Sequence, residues 1–385
     1  MRIAFFHNLP AGGGKRSAHE WIKRMTKHHD VDLFLYNSAA EDFLDLRPYV
    51  KETILIPGGE IRKGTRTEKL RAYFRIVNAS KEIARRMNSG NYDLAFIMQC
   101  QRYNSPFVLR YLHIPSLYFC HEPTAKILEP HYNVKMNGLR RLYIEWLCRI
   151  DRTNARHATL ICANSLYSRE NIYRNFGIFP RLNYLGIDPD HFRPLSLKRE
   201  NIVLSVGSLV PSKAPDFLIE SIGTLRIKPA IRFIYHVSDP SYKAQLTLLA
   251  ERLGVSVYFD YLPSQDEIML AYNQAAVTAF PSILEPMGLV PLESLACGTP
   301  VVGVAEAGIR ETVCHGETGI LTERDPVEFG KAIETLCTNE SLRTRMGVRG
   351  IEQVHKSWLW EHSYIILEKH MHLAIMRRSA SLISK

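Results

Sequence analysis

At 385 residues, 46% of them hydrophobic and 23% charged, the chain has the composition of a folded globular protein and the length of two domains of about 190 residues each. No apolar run approaches the roughly 20 residues that span a bilayer, and the opening MRIAFFHN is too short in its apolar part for a secretory signal. The net charge of +10 is uneven: residues 1–200 carry 32 Lys and Arg against 19 Asp and Glu, and the remainder 17 against 20, so an anionic partner is expected for the first half alone.

In chain order, short apolar strands alternate with helical patterns, the mark of βαβ units around a parallel sheet. Strands are expected at 2–6, 31–36, 53–56, 94–98, 116–119 and 160–163, with helices at 17–27, 66–87 and 138–155. The stretch from Gly186 to Pro194, with a glycine and two prolines, resists regular structure and reads as a linker. Beyond it, strands are expected at 202–206, 231–236, 256–259, 277–280 and 301–304, and helices at 215–224, 242–253, 265–274 and 326–338. A long helical tail over 339–377 breaks near Ser357-Trp358, where the chain can cross back. The expected domains are therefore 1–188, joined by a helix over about 358–377, and 195–357. The two halves read as copies of one architecture.

Seven cysteines form no C-x-x-C pair and no metal spacing. An odd, scattered set of this kind fits reduced thiols, a cytoplasmic location and no bound metal. Ala11-Gly12-Gly13-Gly14 follows the first strand and precedes a helix, a turn whose backbone can approach an anion closely. It is not G-x-G-x-x-G, and Tyr36-Asn37 rather than an acidic residue ends the second strand, which argues against a dinucleotide site. Gly207-Ser208-Leu209-Val210-Pro211-Ser212-Lys213 opens the second half in the same way, with Lys213 where a strand-to-helix loop aims an ammonium at a ligand. Cys120-His121-Glu122-Pro123 follows the strand at 116–119, so His121 sits where such sheets bind ligands. A metal pair of His121 with Glu122 is disfavoured, because adjacent residues rarely point the same way.

Glu285 and Glu293 bracket seven residues, and Gly298-Thr299-Pro300 then introduces an apolar strand. With a helix starting near Pro286, Glu285 precedes its N-terminus and Glu293 lies on its first turns, so both carboxylates can face a ligand held at the positive end of the helix. Between Arg62 and Arg86, the cations Arg62, Lys63, Arg66, Lys69, Arg71 and Arg75 alternate with aromatic and aliphatic residues. A second basic stretch runs from Arg140 to Arg156. On helices these give a basic face beside an apolar one, as an anionic membrane surface would select. No helix-turn-helix, RNA-recognition or zinc spacing accompanies them, so nucleic acid is not expected as a partner.

The segment Glu285–Val302, the continuations Ala307-Gly308-Ile309-Arg310-Glu311 and His315-Gly316-Glu317-Thr318-Gly319, and the passage from Ala163-Asn164-Ser165 to Phe192-Arg193-Pro194 resemble the retaining glycosyltransferases of family four. The resemblance covers nearly the whole chain. It implies an α/β fold of the GT-B type, two Rossmann-like domains with parallel sheets facing a central cleft. It also implies transfer of a hexosyl group from a nucleotide sugar, GDP-mannose or a UDP-sugar, to a lipid-linked or polysaccharide acceptor, by a peripheral enzyme on the cytoplasmic membrane face. By resemblance, Glu285 contacts donor hydroxyls, Glu293 the ribose, Lys213 the diphosphate, and His121 the transferred sugar. Gly13, Gly14, Ser208, Gly288, Leu289 and Val290 complete the donor site, the Arg62–Arg75 cations face the acceptor or membrane, and no cofactor or metal is needed. The alternatives are a sugar-nucleotide epimerase or phosphorylase of the same plan, and a non-enzymatic protein that binds anionic surfaces or nucleic acid through its basic first half.

The chain departs from the family pattern at four places: Ser208 for Arg, Met287 for an aromatic residue, and Ala214 and Ala307 for glycines. Arg310 or Lys15 are the substitutes on offer for the cation lost at 208.

Overall fold

The computed structural model describes residues 1–39, 41–59, 66–101, 103–125, 138–261 and 264–383. Its first unit comprises Met1–Tyr184 together with Trp360–Lys385, and its second comprises Leu185–Leu359.

The first unit is built on β1 (Arg2–Asn8), α1 (Gly13–Met25), β2 (Asp30–Tyr36), β3 (Glu52–Ile56), α2 (Arg66–Ser89), β4 (Leu94–Cys100), β5 (Ser116–Cys120), α3 (Gly138–Ala155), β6 (Leu160–Ala163), α4 (Leu166–Phe176) and β7 (Arg181–Leu182). All seven strands run parallel in the order β3-β2-β1-β4-β5-β6-β7. The central strands are continuous apolar runs because helices cover both faces of the sheet. Phe5, Phe6, Phe96, Ile97 and Phe119 are fully buried.

The second unit repeats the plan. It contains β8 (Glu200–Val206), α5 (Pro215–Gly223), β9 (Ala230–Tyr235), α6 (Pro240–Leu253), β10 (Val257–Tyr261), α7 (Gln265–Gln274), β11 (Ala275–Phe280), α8 (Leu289–Ala296), β12 (Val301–Val304), α9 (Ile309–Thr312), β13 (Gly319–Thr322), α10 (Pro326–Thr338) and α11 (Glu340–Ser357). Its parallel sheet has the order β10-β9-β8-β11-β12-β13. Counted from the first strand of each unit, the first six positions of both sheets read 3-2-1-4-5-6, the doubly wound order, whose switch point lies beside the first strand. The chain then returns to the first unit as α12 (Trp360–Ile383).

Four elements were not expected from the sequence, the shortest helix among them being α9, of four residues. The strand β13 follows a glycine-rich turn that hides its apolar character, and β7 is two residues long. The helix α4 carried a legible signal: Ser165 Oγ accepts the Ser168 N–H at 2.9 Å, and Gly177, with φ of 70°, closes the other end. The helix α1 also begins earlier than expected, at Gly13 rather than at residue 17. Gly13 and Gly14 are therefore its first turn, not the loop before it.

Candidate functional site

In the second unit the loops leaving β8 and β11 meet at the switch point of the sheet. Gly207, Ser208, Lys213 and Ser282 line one concavity there. The Ile283 N–H donates to Ser212 O at 2.8 Å, which ties the lysine-bearing loop to the glutamate-bearing one. Lys213 Nζ in turn donates to Glu285 Oε2 at 2.5 Å, with both side chains partly open to solvent. Lysine and carboxylate are thus set as a pair 72 positions apart in the chain. Beside them, His236 follows β9, and its pKa is lowered by burial and then by the Lys213 charge.

The helix expected near Pro286 starts at Leu289 instead, because Gly288 takes φ of 79° and cannot be helical. Gly288, Leu289 and Val290 place their N–H groups at the open end of α8, which has neither a side-chain cap nor an acidic residue in its first turn. Glu293 lies farther along the helix, 4% exposed, and its Oε2 accepts the Tyr272 hydroxyl at 2.8 Å. The two glutamates therefore serve different neighbours, one Lys213 and the other Tyr272.

The glutamate loop is braced from behind. Gly308 N donates to Glu285 O at 3.0 Å, and a Cβ built on Gly308 would lie 2.0 Å from Pro286 O, so only glycine fits. Arg324 spans the same loop: its guanidinium donates to Pro281 O at 3.0 Å and Ser282 O at 3.2 Å. It also grips Glu306 with two bonds, of 2.8 and 2.7 Å, and lies 5.4 Å over the Phe217 ring. Nothing in the sequence marked Arg324 or Glu306, since 18 residues separate them. The departures Ala214 and Ala307 both take left-handed backbone, with φ of 48° and 52°. Glycine is the usual residue there because a Cβ is strained in that region.

In the first unit, His121 follows β5 and its Nδ1 lies 3.3 Å from Asn164 Nδ2. If the amide donates, the imidazole proton sits on Nε2, which is shielded from solvent and has no hydrogen-bond partner among the described residues. A Cβ built on Gly14 would lie 3.5 Å from that nitrogen, so the start of α1 stands against the ring. Burial lowers the His121 pKa to about 4, so the ring is neutral near pH 7. The Ser168 hydroxyl holds the His121 carbonyl at 2.8 Å.

Lys15, one of the two substitutes on offer for the cation at 208, is engaged within its own unit. It is buried, with Nζ 2.6 Å from Glu41 Oε1 and 3.2 Å from His7 Nε2. Burial holds its pKa below the usual lysine range despite the carboxylate. Arg310 is exposed beside Gly308, with Nε 3.4 Å from Ala307 O. Of the basic run, Arg62 and Lys63 lie outside the described residues, and Arg66 opens α2. Lys69, Arg71 and Arg75 follow on α2 and are exposed.

Two family models match the chain: the glycosyl transferases group 1 model over residues 187–353 and the glycosyltransferase family 4 model over residues 11–191. The D-inositol 3-phosphate glycosyltransferase of Geodermatophilus obscurus is 34% identical over 210 residues, 48% of this chain and 47% of that protein. The protein of the same name from Frankia alni is 34% identical over 188 residues, 43% and 46% of the two. The chain thus spans about half the length of the curated relatives it matches. Among solved structures, a sucrose-phosphate synthase from Thermosynechococcus elongatus aligns with a TM-score of 0.79 at 21% identity, covering 97% of this chain and 98% of that one. Anabaena HepE in complex with UDP-glucose aligns with a TM-score of 0.75 at 18% identity, covering 97% and 99%. At such identities the likeness is one of fold.

Proposed function

Because the chain belongs to the family 4 glycosyltransferases of GT-B fold, we propose that it moves a hexosyl group, with retention, from a nucleotide sugar to a lipid-linked or polysaccharide acceptor at an anionic membrane surface. The observation that carries this reading is the Lys213–Glu285 pair at the switch point, beside the uncapped start of α8. A nucleotide-sugar donor leaves as a diphosphate, and its growing negative charge needs fixed positive partners. Lys213 supplies one, and the N–H groups of Gly288, Leu289 and Val290 supply the dipole, so no metal enters the scheme. Ser208 contributes a hydroxyl where the family has Arg, which leaves Lys213 the larger share.

Glu285 is held by Lys213 and by the Gly308 brace, which suits a residue that positions donor hydroxyls rather than one that forms a glycosyl ester. Retention then follows from attack on the face the leaving group vacates, the departing phosphate oxygen taking the acceptor's proton. Glu293, fixed by Tyr272, is assigned to the ribose. From the first unit, neutral His121 offers an uncharged donor to the transferred sugar, and Gly13 and Gly14 offer the N–H groups of α1. The donor is GDP-mannose or a UDP-sugar.

The test is a panel of UDP- and GDP-sugars, scored first by thermal stabilisation and then by turnover. The K213A and E285Q variants are expected to lose about a hundredfold or more in turnover while their melting curves stay native. Undiminished turnover in either would remove the assignment of that residue.

A further inference from the structure

The helices α2 and α3 carry large apolar side chains on the solvent side. On α3, Leu139, Leu142, Tyr143 and Trp146 follow the i, i+3, i+4, i+7 spacing that shares one helix face. They are 74%, 63%, 53% and 41% exposed. On α2, Leu70 and Phe74 are also more than half exposed. One aromatic cluster bridges the two helices: Tyr73 lies 5.8 Å from Trp146 and 5.4 Å from Phe74, and Tyr143 stacks on Trp146 at 5.9 Å. Beneath it, Ile76, Tyr103, Phe107 and Ile150 form a small core that holds α2 and α3 together. The outer residues therefore stand on a packed base, and no described residue covers them.

The same surface carries exposed cations: Lys69, Arg71 and Arg75 on α2, and Arg140, Arg141 and Arg149 on α3. Glu145 answers one of them, at 3.0 Å from Arg141. Monomeric proteins rarely leave such a patch without a use. Leucines and amphipathic rings flanked by arginines match the boundary between headgroups and acyl chains of an anionic bilayer, with Trp and Tyr at the boundary itself. No described helix is long and apolar enough to cross a membrane, so contact along a bilayer surface is the kind that α2 and α3 can make.

We infer that the α2–α3 face inserts Leu139, Leu142, Tyr143 and Trp146 into an anionic lipid surface, the basic residues of both helices holding the headgroups. This deepens the reading above by naming the segment that meets the membrane. It sets the apolar contact chiefly on the aromatic ridge of α3, within the second of the two basic stretches read in the sequence, with α2 beside it.

The experiment is flotation of the purified full chain with phosphatidylcholine vesicles, with and without phosphatidylglycerol. The wild type is expected to float with the mixed vesicles and poorly with the neutral ones. L139S/L142S, which changes side chains outside the small core, is expected to reduce the bound fraction about tenfold or more. R71Q/R75Q/R141Q/R149Q is expected to reduce binding at low salt and to flatten its salt dependence. A spectroscopic readout is independent of folding defects. Three of the four tryptophans, at 21, 358 and 360, are buried, so a blue shift of emission on adding vesicles reports Trp146 and disappears in W146F. A wild type that stays with the pellet, or an L139S/L142S that floats like it, overturns the inference. So does a dimer in light scattering that L139S/L142S dissociates, which would assign the face to a second copy. Calorimetric titration with UDP and GDP keeps the two readings apart: a chain that floats yet binds neither nucleotide retains this surface and loses the donor site.

Discussion

On the proposed reading Lys213 takes the larger share of the leaving group's charge, because Ser208 brings none. Its own loop is also strained: Ala214, the next residue, sits at φ of 48°, and Ala307 repeats this at 52° behind the glutamate loop. Each alanine holds a left-handed conformation that glycine adopts freely. A214G and A307G are therefore each expected to stabilise the chain by about 1 kcal/mol, the relief of strain exceeding the added freedom of the unfolded state. Urea unfolding with an unchanged slope measures it, and a loss of stability would contradict the strain. Much of this was legible, since a lysine and a glutamate in short loops after apolar strands are marked by spacing alone. Lys15 was not. It too stands beside glycines, but Glu41, 26 positions on, takes it into the interior, and no local pattern announces that.

At the scale of elements, the candidate site depends on how loops are held rather than on the helices between them. The loop 281–288 has no regular structure, yet Gly308 closes on its backbone and Arg324 holds two of its carbonyls while gripping Glu306. Arg324 thus holds the start of the loop that carries Glu285. R324A is expected to lower kcat about ten- to a hundredfold with little change in donor KM, as a small displacement of a positioned group does. R324K, which can keep one bond but not the fork, should fall between. Equal losses for R324A and a distant surface arginine variant would show the brace to be irrelevant. The helix start three residues later than the spacing suggested has the same origin. Gly288 packs against Phe280, where a Cβ would meet the ring at 2.7 Å, and that contact, not helix propensity, sets where α8 begins.

For the molecule as a whole, the first unit is not continuous in sequence. Its last helix, α12, arrives after the entire second unit and joins the sheet's outer layer through Trp360, buried edge-on against Trp21 at 6.1 Å. Trp21 Nε1 donates to Ser363 Oγ at 3.0 Å, and Arg24 and His29 pair with Glu361 and Glu368. W360A is expected to cost about 3–5 kcal/mol, the range for deleting a large buried aromatic side chain. Thermal or urea unfolding of the full chain measures the loss, and a cost under about 1 kcal/mol would mean that the helix is dispensable to the unit.

What the amino-acid order determined by itself is the alternation of apolar strands with helical patterns, and with it the parallel sheets, the repeated plan and the loops after β5, β8 and β11 that carry His121, Lys213 and Glu285. Those are local properties, set by periodicity and by turn residues. Tertiary structure alone decided which charges meet: Lys213 with Glu285, Lys15 with Glu41, Arg324 with Glu306. It also decided which apolar side chains of α2 and α3 stay outside. Pairing and exposure depend on contacts between residues far apart in the chain, and a single sequence holds those only through the fold it makes.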